Sequence, residues 1–189
     1  GGAGHAGLSV LFAMIRTAGD RIRRLNAQVV VYDEIGKAIG ESKTLDHLLE
    51  VVLRQLAQAA LADWGLVVLH SQFSDRLEVR STVNLSLTPG QKDDLAASKG
   101  FLGPARRETQ GRLVSQLDAE EQYKACGRLG FETASLLLMP VSVESQELGL
   151  IALGGRQPAQ FDLNDLNLAR GVARQAAQAI LNARHREEE

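Results

Sequence analysis

The sequence predicts an α+β domain: an antiparallel β-sheet with terminal helices packed on one face and short helices and loops over the other, preceded by a coiled-coil helix. Apolar residues recur at helical spacing at both ends of the chain, and runs of strand character lie between them. Four of those runs form pairs joined by short turn-like segments, the pattern of hairpins. The segments between residues 84 and 130 are short, so they must cover the face that the long helices leave open.

The first helix carries a seven-residue repeat. Leu8, Ile15, Ile22 and Val29 occupy position a; Leu11, Ala18, Leu25 and Tyr32 occupy position d. All of these are apolar or aromatic, which is the mark of a dimer seam. The competing reading is an amphipathic helix lying on its own domain, which favours a wider apolar stripe. Gly36 and Gly40 predict a break near Gly40.

Thr44 is an N-cap for a second helix that ends near Ala62. Leu66-Val67-Val68-Leu69 reads as a strand buried on both faces. Leu77, Val79, Ser81 and Val83 alternate with Glu78, Arg80 and Thr82, as in a half-exposed edge strand. Thr88-Pro89-Gly90-Gln91 is a capping box opening a helix to about Ser98. Phe101 to Thr109 is a further short helical candidate, and Arg112 to Ser115 a short strand. Asp118 and Glu121 frame a helix to about Leu129. Ser135 to Val143 and Leu148 to Leu153 form a hairpin, with Pro140 marking a bulge or an edge position. The last helix starts at Asp162, with Asp165 at N3 and Phe161 with Leu166 as a staple. His185 to Glu189 is a solvated tail.

Composition bounds the function. The 189 residues suit one domain with an appended element, and aromatics make up only 4%, so Leu, Val, Ile and Ala must fill the core. A formal net charge of −2 argues against a nucleic-acid partner. Arg21, Arg23 and Arg24 form the one basic cluster, assigned to a wet helix face or to the vicinity of a membrane surface. Cys126 is the single cysteine, so no internal disulfide forms and a reducing, cytoplasmic setting is expected. No run approaches the roughly 20 apolar residues of a spanning helix, although a membrane helix upstream of Gly1 stays open. Gly1 to Gly7 has no basic region of a signal peptide.

Several stretches, in their order and spacing, resemble the GAF family of sensory domains. They are Gly130-Phe131-Glu132-Thr133-Ala134-Ser135, followed by Leu136 to Val141; Gln146 to Leu153; and Phe161-Asp162-Leu163-Asn164-Asp165-Leu166. Gly100 to Ala105 and Thr44 to Leu49 extend the resemblance, which covers about residues 41–184. It implies a regulatory domain at 41–184, with a signalling helix over 1–40 and a tail at 185–189. It also implies a homodimer, an unidentified small-molecule ligand or partner, and a downstream output domain such as a kinase or cyclase, as in two-component systems.

The chemistry of particular sites is sparse. The family's bilin-binding branch places a Cys-His pair where Glu121-Gln122 stands, which argues against covalent bilin. His5, His47, His70 and His185 show no ligand spacing, which argues against haem or a metal. Sulfoxide reductases of this fold use several cysteines, so one cysteine argues against an enzyme. Gly154-Gly155 lacks the sequence of a phosphate-binding loop. The ligand-binding candidates are His70, Arg80, Phe101, Arg106 with Arg107, and Tyr123. Each has a plainer role: Arg80, Arg106 and Arg107 as surface cations, Phe101 and Tyr123 as core, His70 as a partly exposed strand end. A ligand-free dimerisation module with a filled pocket is the rival function.

Overall fold

The computed structural model describes residues 14, 26, 29–40, 44–74, 76–97, 102–105, 109–117 and 132–187. Five strands form one antiparallel sheet: β1 (Trp64–His70), β2 (Leu77–Val83), β3 (Arg112–Val114), β4 (Ser135–Val143) and β5 (Gln146–Gly155). Their order across the sheet is β2-β1-β5-β4-β3. The helices are α1 (helical over 29–40), α2 (Leu45–Ala59), α3 (Pro89–Ala96), α4 (Leu102–Ala105) and α5 (Leu163–Glu187). The α+β class and the hairpin pairing follow the sequence expectation.

Local signals set most boundaries. The Thr44 hydroxyl accepts from the His47 N–H at the start of α2. That helix ends at Ala59 rather than Ala62, because Leu61 turns into the left-handed region at φ +52° and the Ala62 N–H reaches back to Ala57. Thr88 and Gln91 close the reciprocal capping box of α3. Asp162 and Asp165 do the same for α5: the Asp165 N–H donates to the Asp162 carboxylate, and the Asp162 N–H donates to Asp165. Pro140 lies past the last residue that β3 pairs, an edge position where a missing N–H costs nothing.

Strand alternation divides the core in two. On the helix face, Val67, Leu69, Leu137, Met139, Val141, Ile151 and Leu153 pack with α2 and α5. Ala169, Ala173, Ala176 and Ala177 are buried along α5, so small side chains bring its backbone close to its neighbours. On the second face, Leu66, Val68, Leu136, Leu138, Leu150 and Ala152 pack with Leu95 of α3 and with Leu102 and Ala105 of α4. The division of labour between terminal helices and short covering segments is the one expected.

Two bulges break the alternation. Val67 pairs with Ser81 and Val68 with Val79, so Arg80 is the extra residue of β2. The sequence puts Leu77, Val79, Ser81 and Val83 on one face. The bulge instead splits them: Leu77 and Val79 join the second face and Val83 joins the helix face. In β5, Leu148 is extra, opposite the Val141–Ser142 step, one residue beyond Pro140.

The first helix divides its contacts. Over 29–40 it lies on its own domain through Val31 and Ile35, both buried, and Gly36 sits inside it without breaking it. Tyr32, a position d residue, turns its hydroxyl onto Gly171 of α5, where a Cβ would overlap it. Val29, a position a residue, is 70% exposed. The six earlier seam positions lie outside the described residues.

Candidate functional site

The resemblance places the ligand side on the second face. Its described floor is apolar and buried, apart from Trp64, whose indole N–H donates to the Thr133 hydroxyl at 2.8 Å. Trp64 lies across Gly154, its partner on β5, and any Cβ there would fall inside the indole ring. Gly154 is therefore the seat of a tryptophan, which explains a glycine pair that has no phosphate-loop context.

The candidate residues separate in the structure. His70 alternates with Trp64, Leu66 and Val68 and so stands at the rim of the second face. There its Nε2 lies 3.3 Å from a Glu147 carboxylate oxygen. Arg80 goes the other way. It stands opposite Leu77 and Val79, on the helix face, where its Nε and Nη2 donate to Asp46 at 2.8 and 2.6 Å. Asp46 is in the first turn of α2, so this contact pins that helix to the sheet edge. Phe101, Arg106, Arg107, Tyr123 and Cys126 lie outside the described residues, as does the helix expected from Asp118. Of the six ligand candidates, His70 and Arg80 are among the described residues, and the structure does not bring those two together.

Sequence reasoning missed the residues at the far end of α5. That helix continues to Glu187 instead of leaving a tail from His185. The Arg184 guanidinium donates to the His70 carbonyl at 2.7 Å, tying the end of α5 to the end of β1. Basic residues in a last turn were the available signal. Only the packing shows that one of them caps a strand rather than its own helix.

Three clefts of the described surface can be placed. A cleft of about 380 Å³ lies between Ile39 of α1, the start of α2, Arg80 and the last turns of α5. A second, of about 420 Å³, lies by Asp63 and Gln160 at one end of the sheet. There the Asp63 carboxylate accepts from the Arg156 N–H and the Gln160 amide, bonds that hold the loop after β5 in place. A third, of about 210 Å³, lies beside Pro140 and Arg170. Among the described residues, no group of three or more His, Cys, Asp or Glu is placed to hold a metal ion. No helix among them is long and apolar enough to cross a membrane.

Comparison with known proteins matches this architecture. A GAF domain from an Acinetobacter phosphoenolpyruvate-protein phosphotransferase superposes with a TM-score of 0.70 at 21% identity, over 85% of this chain and 96% of the other. The GAF domain of the corresponding Coxiella burnetii protein gives 0.69 at 18% identity, over 86% and 97%. Free methionine-R-sulfoxide reductase from Neisseria meningitidis, solved with its substrate, gives 0.66 at 14% identity, over 84% and 92%. At these identities the likeness is one of fold. A search of curated proteins finds no match. The GAF domain family model matches residues 44–180, from the N-cap of α2 to the buried middle of α5, and on that match the chain belongs to the GAF domain family.

Proposed function

We propose that this GAF domain is a sensory module that receives a small molecule or partner and relays the event through dimerising terminal helices to an output domain, without performing chemistry. The carrying observation is the way the sheet edge is tied to the helices. Arg80 of β2 holds Asp46 of α2, Arg184 of α5 holds the His70 carbonyl of β1, and Tyr32 of α1 rests on Gly171 of α5. A displacement of the β1–β2 hairpin from the second face therefore moves the ends of α2 and α5 together. Coupling of this kind needs a packed element with two arrangements, and in this reading the three contacts carry the change from the sheet edge to the helices.

Dimerisation rests on the heptad seam. Val29 and Val30 remain exposed on α1 while Val31 and Ile35 are buried, so the helix keeps one apolar edge for its own domain and offers another outward. A kinase, cyclase or similar output fits a module of this family. Cys126, the single cysteine, supports a non-enzymatic role although a reductase shares the fold.

The second reading, a ligand-free dimerisation module, draws on the apolar floor of the second face, where buried side chains fill the described space. Both readings require the dimer, so that is the first test. Deleting residues 1–40 would strip Val31 and Ile35 from the core, so substitution is the sounder route. Sedimentation equilibrium should give a dimer for the full chain and a folded monomer for Ile15→Glu/Ile22→Glu/Val29→Glu. A monomer in both cases rejects the seam. Free methionine-R-sulfoxide should not be reduced by the protein, and turnover lost in Cys126→Ser would reject the non-enzymatic reading.

A further inference from the structure

One cleft is used neither by the second face nor by the seam. It lies where α1 ends, α2 begins and the last turns of α5 pass Arg80. At about 380 Å³ it is large enough for a small metabolite. Its floor is apolar, with Leu48 of α2 and Ala179 of α5 both buried. Its rim is polar, with Arg80, Asp46, Asn182 and Arg186.

The rim has donors to spare. Asp46 is engaged by Arg80 Nε and Nη2, and Glu78 stands 3.8 Å from Arg80 Nη1. Arg80 is thus balanced by two carboxylates. Arg186 is not: its Nε donates to the Asn182 carbonyl at 3.2 Å, and its two terminal amino groups meet no acceptor among the described residues. The Asn182 side-chain oxygen accepts from Gln178 at 3.4 Å, which leaves the Asn182 amide N–H groups without an acceptor among those residues. An arginine fork and an amide donor one turn of helix apart, above an apolar floor, suit a carboxylate with a hydrocarbon body.

We propose that this cleft binds an amphipathic monocarboxylate. Its carboxylate sits on Arg186 and Asn182, and its aliphatic or aromatic body covers Leu48 and Ala179. A cation meets a surplus of donors there, and a bare phosphate leaves the apolar floor wet. The bound acid stands between the start of α2 and the end of α5, so it bears on the helix ends directly rather than through the sheet. The site shares Arg80 and Asp46 with the proposed relay, but its test reads binding alone, so its failure leaves the relay and the dimer standing.

The probe is sodium octanoate, titrated into the full chain and followed by amide chemical shifts, with 1-octanol and inorganic phosphate as comparison ligands. Octanoate should shift the amides of Leu45 to Leu48 and of Ala179 to Arg186 saturably. Arg186→Ala/Asn182→Ala should weaken it about tenfold or more, the scale of a lost charge-assisted contact. Both side chains are exposed, so the variant should keep its thermal midpoint. Octanol binding as tightly as octanoate, phosphate shifting the same amides as tightly, unchanged affinity in the variant, or no localised shifts would each overturn the proposal.

Discussion

The two faces of the sheet are covered by different kinds of structure. On the helix face, α2 and the 25-residue α5 satisfy their own backbone and press continuous apolar stripes onto the strands. On the second face, among the described residues, α3 buries Leu95, and α4 buries Leu102 and Ala105. Among the described residues each short element is anchored by one or two side chains, so its opening should cost less than the loss of a long helix. Among the described residues, the helix face is thus held by long continuous elements and the second face by elements that each bury one or two side chains.

That comparison is broken or sharpened first by core truncation. Leu53→Ala on the helix face should cost about 3–4 kcal/mol, because long packed helices cannot close the cavity. Leu95→Ala on the second face should cost about 2 kcal/mol, because α3 can settle into the space. Urea unfolding measures both, and equal losses would mean that the two faces are equally rigid.

Helix caps come next in size. Asp162→Ala removes the cap of α5 and should lower global stability by about 1 kcal/mol. Thr88→Ala removes a cap of similar strength from α3, yet should act locally, raising amide exchange over 89–96 with little change in the unfolding midpoint. A global loss from Thr88→Ala would show that α3 folds as one unit with the helix face.

The smallest net effect is expected at Gly171. Replacing a mid-helix glycine with alanine favours α5 by about 1 kcal/mol, but the new methyl group displaces the Tyr32 hydroxyl. Gly171→Ala should therefore leave the unfolding midpoint nearly constant while amide exchange rises over 29–40. Unchanged exchange there would show that Tyr32 is not what holds α1 to the helix face.

Much of the fold was legible in the sequence because its signals are local. Thr44, Thr88 and Asp162 cap the helices they were read to cap, and Ser135 to Val143 forms the strand expected of it. The candidate site was far less legible. Val83 alternates in step with Leu77 and Val79 in sequence and still joins the opposite face, because a bulge is a property of two paired strands, and only one of them contains these residues. Arg186 and Asn182 look like ordinary surface residues of a helix end. Their place at a cleft depends on α1, α2 and β2 arriving there from elsewhere in the chain.

The sequence by itself determined the periods, the caps and the hairpin turns, and with them the α+β class. Those depend on side chains within a few positions of one another. The tertiary structure alone decided which way Arg80 points, that Tyr32 rests on Gly171, and that the end of α5 meets the end of β1. Each of those joins residues at least 34 positions apart in the chain. No local pattern encodes such a contact; the packing of the whole core selects it.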